Sequence, residues 1–476
     1  METLLDTWRR LVAQGPDKLA VIDGGTGRSW TRGALADSAA RWLASLSGEA
    51  RGRLRRRRVV MAEPNGAQWF QVFLGLLEAG AAPALADSKE APERLAVIAE
   101  VTRAAAVWRE GGFQWERGHP ARDGCAHDAV FSLRGQDARA PSGVTAQSRL
   151  RRGDLCLVKL TSGSTGAPRA IDFTHAQMLA DGRQICAAMR IGADDLNLAV
   201  IPLGHSYGLG NLVVPLLEQG TPMVCSASPF PQAIAEDCAR WRPTVFPAVP
   251  TLLRALAGAD VAPEKLASLR TIISSGAPLA ASEASAFAAK FGRHVHNFYG
   301  SSETGGIAFD SEGGAAEAGA AGGRGVGRLI AGVTLHWRRG RRFAVESAAV
   351  RGRGCCTMPD RGELNALGEL VLLGRAGRTL KIAGRRLDPV EVENALRALP
   401  RVRDAFVAAH PARPDALAAV VASDAAPSSV TQWRAQLAQH MASWKIPDKI
   451  HIVPAFPATQ RGKTDRAALA RMLAGA

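Results

Sequence analysis

The amino-acid sequence predicts an α/β protein, with a large N-terminal domain of parallel-rich sheets flanked by helices and a small α+β C-terminal domain. Three observations lead there. Apolar strand-like runs alternate with helix-like segments through most of the chain, the order that builds a mostly parallel sheet covered on both faces. The length of 476 residues exceeds what one compact core accommodates. Near Gly374-Arg375-Ala376-Gly377 the alternation gives way to a short mixed strand and helix pattern, which divides the chain into residues 1–375 and 376–476.

The elements follow in order. Leu4, Leu5, Trp8, Leu11 and Val12 fall on one face of a short N-terminal helix. An early acid and the lack of a long apolar core set this segment apart from a signal peptide. Ala34–Leu46 reads as a helix, Val59–Ala62 as a strand, Gln68–Gly80 as a helix ended by glycine, and Ala82–Ala86 as a strand. Leu155–Leu160 and Ala170–Phe173 are strand-like. The alternation recurs through Asn197–Ile201, Leu212–Gln219 and Pro222–Cys225, and again through Val245–Pro247, Pro250–Ala257 and Thr271–Ile273. Between Ser311 and Gly327 the chain turns Gly/Ala-rich, the composition of a mobile loop. Pro389–Leu396 reads as a helix with proline at its start.

Composition narrows the class. No apolar run approaches the ~20 residues that span a bilayer. Seven dispersed cysteines without metal-ligand spacing read as reduced thiols in a cytoplasmic protein. A net charge of +15 and a sequence pI near 10.2 invite a nucleic-acid reading. The basic cluster Arg51, Arg53, Arg55, Arg56, Arg57 and Arg58 has no interleaved aromatics, unlike the stacking platforms of single-strand binders. It reads as a solvated turn, the other reading being a docking surface for an acidic partner such as a carrier protein.

Chemistry concentrates in Thr161-Ser162-Gly163-Ser164-Thr165-Gly166-Ala167-Pro168-Arg169. Glycines let backbone N–H groups approach a polyphosphate, hydroxyls add rotatable donors, and Arg169 supplies a guanidinium fork. The run lies between two strand-like stretches, and no Gly-Lys-Ser/Thr closes it ahead of a helix, so it is not a Walker loop. Alone, it is open between phosphate binding and an ordinary Ser/Gly-rich turn.

Together with Thr174-His175 the run resembles the nucleotide loop of the adenylate-forming superfamily, whose members include acyl-CoA synthetases and adenylation domains. Four later segments resemble that family in the same order: Asn297 to Thr304, Asp360 with Gly374-Arg375, Leu380 to Glu393, and Arg461-Gly462-Lys463-Thr464-Asp465-Arg466. The resemblance spans nearly the whole chain. It implies an acyl-CoA synthetase-like fold whose small C-terminal domain swings about a hinge near Gly377, where the family usually carries Asp or Lys.

The resemblance also assigns residues. Lys463 bridges carboxylate and phosphate oxygens during adenylation; it is one of nine lysines against fifty arginines. Glu303 is the Mg2+ ligand, with Ser302 in place of the usual threonine hydroxyl. Tyr299 and Gly300 meet adenine, and Gly276, Ala277 and Pro278 line the adenine and acyl pockets. Asp360 and Arg375 hold the ribose, although the Thr-Gly that usually precedes this aspartate is here Met358-Pro359. Thr161, Ser162, Gly163, Ser164, Thr165, Gly166 and Arg169 hold phosphates, Arg169 replacing the family's lysine with charge kept and geometry altered. Lys381 is read either as a contact of the thioester-forming pose or as a solvated strand lysine. His205, in Pro202-Leu203-Gly204-His205-Ser206-Tyr207-Gly208, resembles the acyl-pocket histidine of acyl- and aryl-CoA ligases. His175 is read as a helix-capping residue.

The implied activity is ATP-dependent conversion of a small-molecule carboxylic acid, fatty or aryl, to an acyl-adenylate. The acyl group then passes to CoA or to the phosphopantetheine of an acyl carrier protein. The Phe-Asp segment with which amino-acid-activating domains meet an ammonium group is absent. Two alternatives stay open: an acyl-AMP ligase or β-lactone synthetase-like enzyme without CoA transfer, and a catalytically weakened nucleotide-binding homologue.

Overall fold

A computed structural model describes residues 2–116, 128–131, 155–162, 168–319, 323–350, 354–375, 380–382, 385–387, 389–458 and 464–474. Two large sheets form the N-terminal part, so the alternation read from the sequence is divided between them. The first has nine strands, in spatial order Arg328–Leu329, Gly305–Phe309, Val295–Ser301, Thr271–Ser274, Val245–Ala248, Asn197–Ala199, Met223–Cys225, Leu19–Asp23 and Ser29–Thr31. Its central pairings are parallel, and its flanking pairings are antiparallel. The second has seven, in the order Asp128–Phe131, Gly112–Glu116, Ala106–Arg109, Arg58–Ala62, Ala82–Leu85, Leu155–Ser162 and Pro168–Thr174.

Strand periodicity explains how both sheets bury two faces. Val59 and Met61 point into a core shared with Val21, Ala199, Met223 and Leu157, between the two sheets. Their neighbours Val60 and Ala62 point the other way, onto the helix Pro92–Thr102 through Leu95, Ile98 and Ala99. Likewise Val21 faces the shared core while Ile22 joins Leu198, Val224, Phe246 and Ile272 beneath the helices Pro231–Trp241, Pro250–Gly258 and Ala281–Phe291. Successive side chains of a strand face opposite ways, which is why these strands read as continuous apolar runs.

The N-terminal helix Leu4–Gln14 turns Leu4, Leu5, Trp8 and Leu11 into the shared core as its spacing predicts. The basic cluster is only partly a solvated turn. Arg51 and Arg53 lie on the helix Gly48–Leu54, and Arg58 belongs to a strand, where it pairs with Asp172 at 2.7 Å. His175 is also corrected. The helix His175–Met189 is capped by Thr174, whose hydroxyl accepts the Gln177 N–H while Gln177 reaches back, and His175 Nδ1 instead accepts the Leu4 N–H at 3.3 Å. Among the described residues of the Gly/Ala-rich stretch, Ala315–Ala318 forms a helical turn.

A four-stranded antiparallel sheet, Thr334–Arg338, Arg342–Glu346, Cys355–Leu364 and Leu370–Arg375, follows. The smaller C-terminal part holds the hairpin Leu380–Ile382 with Arg385–Leu387 and a sheet of Val402–His410, Arg413–Ser423 and Lys449–Val453. Its helix Pro389–Arg397, proline first as predicted, packs Val392 and Leu396 into a core with Val407, Val421, Trp433 and Leu437.

Candidate active site

Gly276, Ala277, Pro278, Tyr299, Gly300, Ser302 and Glu303 lie at or just beyond the ends of two neighbouring parallel strands of the nine-stranded sheet, the usual ligand edge of an α/β sheet. Thr271–Ser274 runs beside Val295–Ser301 with Ser274 opposite Asn297. Gly276, Ala277 and Pro278 therefore follow one strand at the level where Tyr299 and Gly300 extend the next. Gly276 and Pro278 are exposed and Ala277 is half-buried.

Val295–Ser301 then reverses into Gly305–Phe309 as an antiparallel pair, and the reversal presents Ser302 and Glu303. Ser301 Oγ accepts the Glu303 N–H at 3.2 Å and lies 3.0 Å from Thr304 Oγ1, which fixes the turn from inside. Ser206 Oγ donates to Ser302 Oγ at 2.8 Å, joining this turn to the segment carrying His205.

That segment is tightly wound. A Cβ on Gly208 would stand 2.1 Å from the Pro202 carbonyl oxygen, so only glycine permits the close approach that folds Pro202–Gly208 back on itself. Helical winding begins at Ser206, earlier than the predicted Leu212, and passes through a π-helical stretch, Leu209–Val213, before Val214–Gln219. Such widened turns often mark functional sites. His205 Nε2 lies 3.7 Å from Asp87 Oδ2, just beyond the strand Ala82–Leu85. Tyr207 donates to the Ile273 carbonyl at 3.3 Å, with its ring 6.0 Å from that of Phe298.

Asp360 sits on the strand Cys355–Leu364 directly opposite Arg375, which explains the spacing seen in the sequence. Its Oδ2 accepts the Tyr299 phenol at 2.8 Å, joining two segments that the sequence reading had identified separately. The glycine- and hydroxyl-rich run begins and ends on antiparallel strands: Thr161 is opposite Arg169 and Ser162 opposite Pro168, with Thr161 half-buried and Arg169 exposed. Gly163, Ser164, Thr165 and Gly166 lie outside the described residues, as do Gly377 and Lys463. Ala458 and Thr464, on either side of the Lys463 segment, pair with each other, and the Asp465 N–H donates to the Pro457 carbonyl at 2.7 Å. Lys381 is on the strand Leu380–Ile382.

Three charged residues near the site escaped the sequence reading: Asp87, Lys159 and Asp181. Lys159 had a signal, a lysine inside the apolar run Leu155–Leu160 of a lysine-poor chain. Asp181 had none, because its partners come from a strand and a turn remote in sequence.

The AMP-binding enzyme family matches residues 8–336, and the AMP-binding enzyme C-terminal domain matches residues 391–463. An anthranilate–CoA ligase of Pseudomonas aeruginosa is 26% identical, across 87% of this chain and 86% of its own. A benzoate–CoA ligase of Thauera aromatica is 28% identical, across 71% of each chain. The ATP-bound crystal structure of MatB from Rhodopseudomonas palustris superposes with a TM-score of 0.79 at 22% identity, covering 99% of both chains. The chain belongs to the AMP-binding enzyme family of the adenylate-forming superfamily, and its class is that of the AMP-forming acid–CoA ligases.

Proposed function

We propose that the protein activates an aryl carboxylic acid with ATP and transfers the acyl group to CoA. The observation that carries the reading is the Tyr299–Asp360 hydrogen bond at 2.8 Å, which brings an aromatic face and a ribose acceptor together at one end of the sheet. An aromatic ring stacks on a nucleobase, and a carboxylate accepts two ribose hydroxyls. The names of the relatives favour aryl over fatty acids among the two classes expected from sequence. His205, half-buried beside Asp87, gives the acyl pocket a polar wall.

In the first half-reaction a carboxylate oxygen attacks the α-phosphorus. An O–P bond forms and the bond to the departing pyrophosphate breaks. The protein's part is to align the reactants and neutralise charge. Arg169 and the glycine and hydroxyl run before it are assigned to the phosphates, and Lys463 to bridging carboxylate and phosphate oxygens as a compact charge. In the second half-reaction the CoA thiol attacks the acyl carbonyl and AMP leaves. Lys381 contacts the thiol-transfer pose, reached by rotation of residues 376–476 about Gly377.

Glu303 and Ser302 offer only oxygen donors, which fits Mg2+, an ion usually held by one or two carboxylates together with substrate phosphates. Among the described residues no group of three or more His, Cys, Asp or Glu side chains forms a metal cage, so the donor set suits an ion that arrives with the nucleotide. Mg2+, when bound, lowers the cost of charge gathering on the pyrophosphate. The cytoplasm suits the free thiols of Cys156, Cys186, Cys225 and Cys238, all buried, and no described helix is long and apolar enough to cross a membrane.

The test is acid-dependent ATP–pyrophosphate exchange across a panel of benzoates and fatty acids, followed by thioester formation with CoA or a phosphopantetheinylated carrier. Lys463→Ala is expected to abolish exchange while leaving ATP binding intact. Unchanged exchange in that variant overturns the role given to Lys463, and exchange confined to fatty acids overturns the aryl reading.

A further inference from the structure

Behind the Glu303 turn lies a buried ion pair to which the chemistry above gives no role. Lys159, two residues before Thr161 on the strand Leu155–Ser162, is 1% exposed. Its Nζ is 3.8 Å from Asp181 Oδ2, on the helix His175–Met189, and 4.1 Å from the centre of the Phe173 ring. Asp181 Oδ1 accepts the Gly306 N–H at 3.0 Å. The backbone comes close enough at Gly305, with φ +71°, that a methyl there would stand 2.1 Å from the same oxygen.

Burial opposes both charges, pulling the Lys159 pKa down and the Asp181 pKa up. Each is partly offset by the other, and the Glu303 charge adds to the field that favours the ammonium. A buried pair of this kind is a weak source of stability, because apolar residues of the same volume often serve as well or better. Its position suggests another use. Groups that hold the supports of a metal ligand control that ligand's orientation.

We infer that Lys159 and Asp181 are positioning residues for Glu303. Asp181 pins the turn through the Gly306 N–H, and Lys159 cancels the charge that would otherwise repel the Glu303 carboxylate. The strand that carries Lys159 continues to Thr161 and Ser162, so one buried pair ties the start of the hydroxyl run to the turn that presents Glu303. The inference rests on the reading of Glu303 as the carboxylate that meets the metal–nucleotide.

The test is a titration of Mn2+ into protein with ATP and no acid, read by electron paramagnetic resonance, alongside ATP binding measured in EDTA. Lys159→Met/Asp181→Ala removes both charges and the anchor. Gly305→Ala displaces the anchor and leaves both charges in place, so it serves even if the double variant does not fold. Both are expected to weaken Mn2+ binding by about tenfold or more, with metal-free ATP affinity held within about twofold. Unchanged Mn2+ affinity, or an equal loss of metal-free ATP affinity, overturns the positioning role. Glu303→Gln is the reference. If it weakens Mn2+ binding while the other variants do not, only the positioning role fails; if it also leaves Mn2+ binding unchanged, the reading of Glu303 fails with it.

Discussion

Tyr299→Phe is a sharp perturbation, because it removes one oxygen and keeps the ring. The phenol donates to Asp360 Oδ2 at 2.8 Å between half-buried residues. A hydrogen bond to a charged partner contributes about 1.5–3 kcal/mol net. Asp360 keeps its charge in this variant, so what is lost is the bond that orients the carboxylate. The lower end, about 1.5 kcal/mol, corresponds to slightly more than a tenfold weaker apparent affinity for ATP. The assay is ATP–pyrophosphate exchange at saturating acid, with ATP binding by calorimetry. The expected pattern is a raised KM for ATP and an unchanged KM for the acid. Asp360→Asn should cost more, and the double variant should cost less than the sum, since the two residues form one unit. Full additivity, or an unchanged ATP KM in Tyr299→Phe, refutes the claim that the phenol organises the ribose acceptor.

Two further substitutions probe different parts of the fold. Gly208→Ala would place a methyl 2.1 Å from the Pro202 oxygen and 3.1 Å from Leu203 Cα. Because backbone cannot yield as a side chain can, we expect a loss of about 2 kcal/mol, visible as a lower Tm, together with a raised KM for the acid as the His205 segment opens. Asp195 accepts bonds from Arg270 (3.0 and 2.6 Å), the Thr244 hydroxyl (2.7 Å) and the Gly192 N–H (2.9 Å). Burial pushes its pKa up, but these donors outweigh it and hold the carboxyl below the ordinary aspartate value. A depressed folded-state pKa gives stability that is present above the unfolded value of about 3.9 and lost as pH falls through the folded one. Asp195→Asn is therefore expected to lose about 2 kcal/mol at pH 7 and to show a smaller further loss on acidification below about pH 4, read by denaturant melts across pH.

Much of the candidate site was legible because its residues fall in short runs. The Asn297–Thr304 segment, Asp360 with Arg375, and the hydroxyl run ending at Arg169 each keep their residues within one turn or one strand pair. Strands were legible from apolar runs, yet their division between two sheets was not, since alternation fixes neither spatial order nor which sheet a strand joins. The capping box at Thr174 is marked in the sequence by Gln177 three residues on, and His175 is the first residue of the helix that it caps. Arg58 looked like its neighbours in the cluster; only the chain reversal that brings up Asp172 separates it from them. Lys159 and Asp181 meet across a strand and a helix, and the backbone they hold comes from a third region of the chain.

The nine-stranded sheet has a temporal consequence. Val21 pairs with Met223, so the strand Leu19–Asp23 is synthesised well before this partner and waits for it. Loop closure over such a span is slow, and until it occurs the edge of Leu19–Asp23 opposite its Ser29–Thr31 partner stands open and sticky. Deleting residues 2–31 would make that interval permanent, leaving Met223–Cys225 as a bare apolar edge. Aggregation during expression, more than loss of any catalytic group, is the expected fate of such a truncated chain.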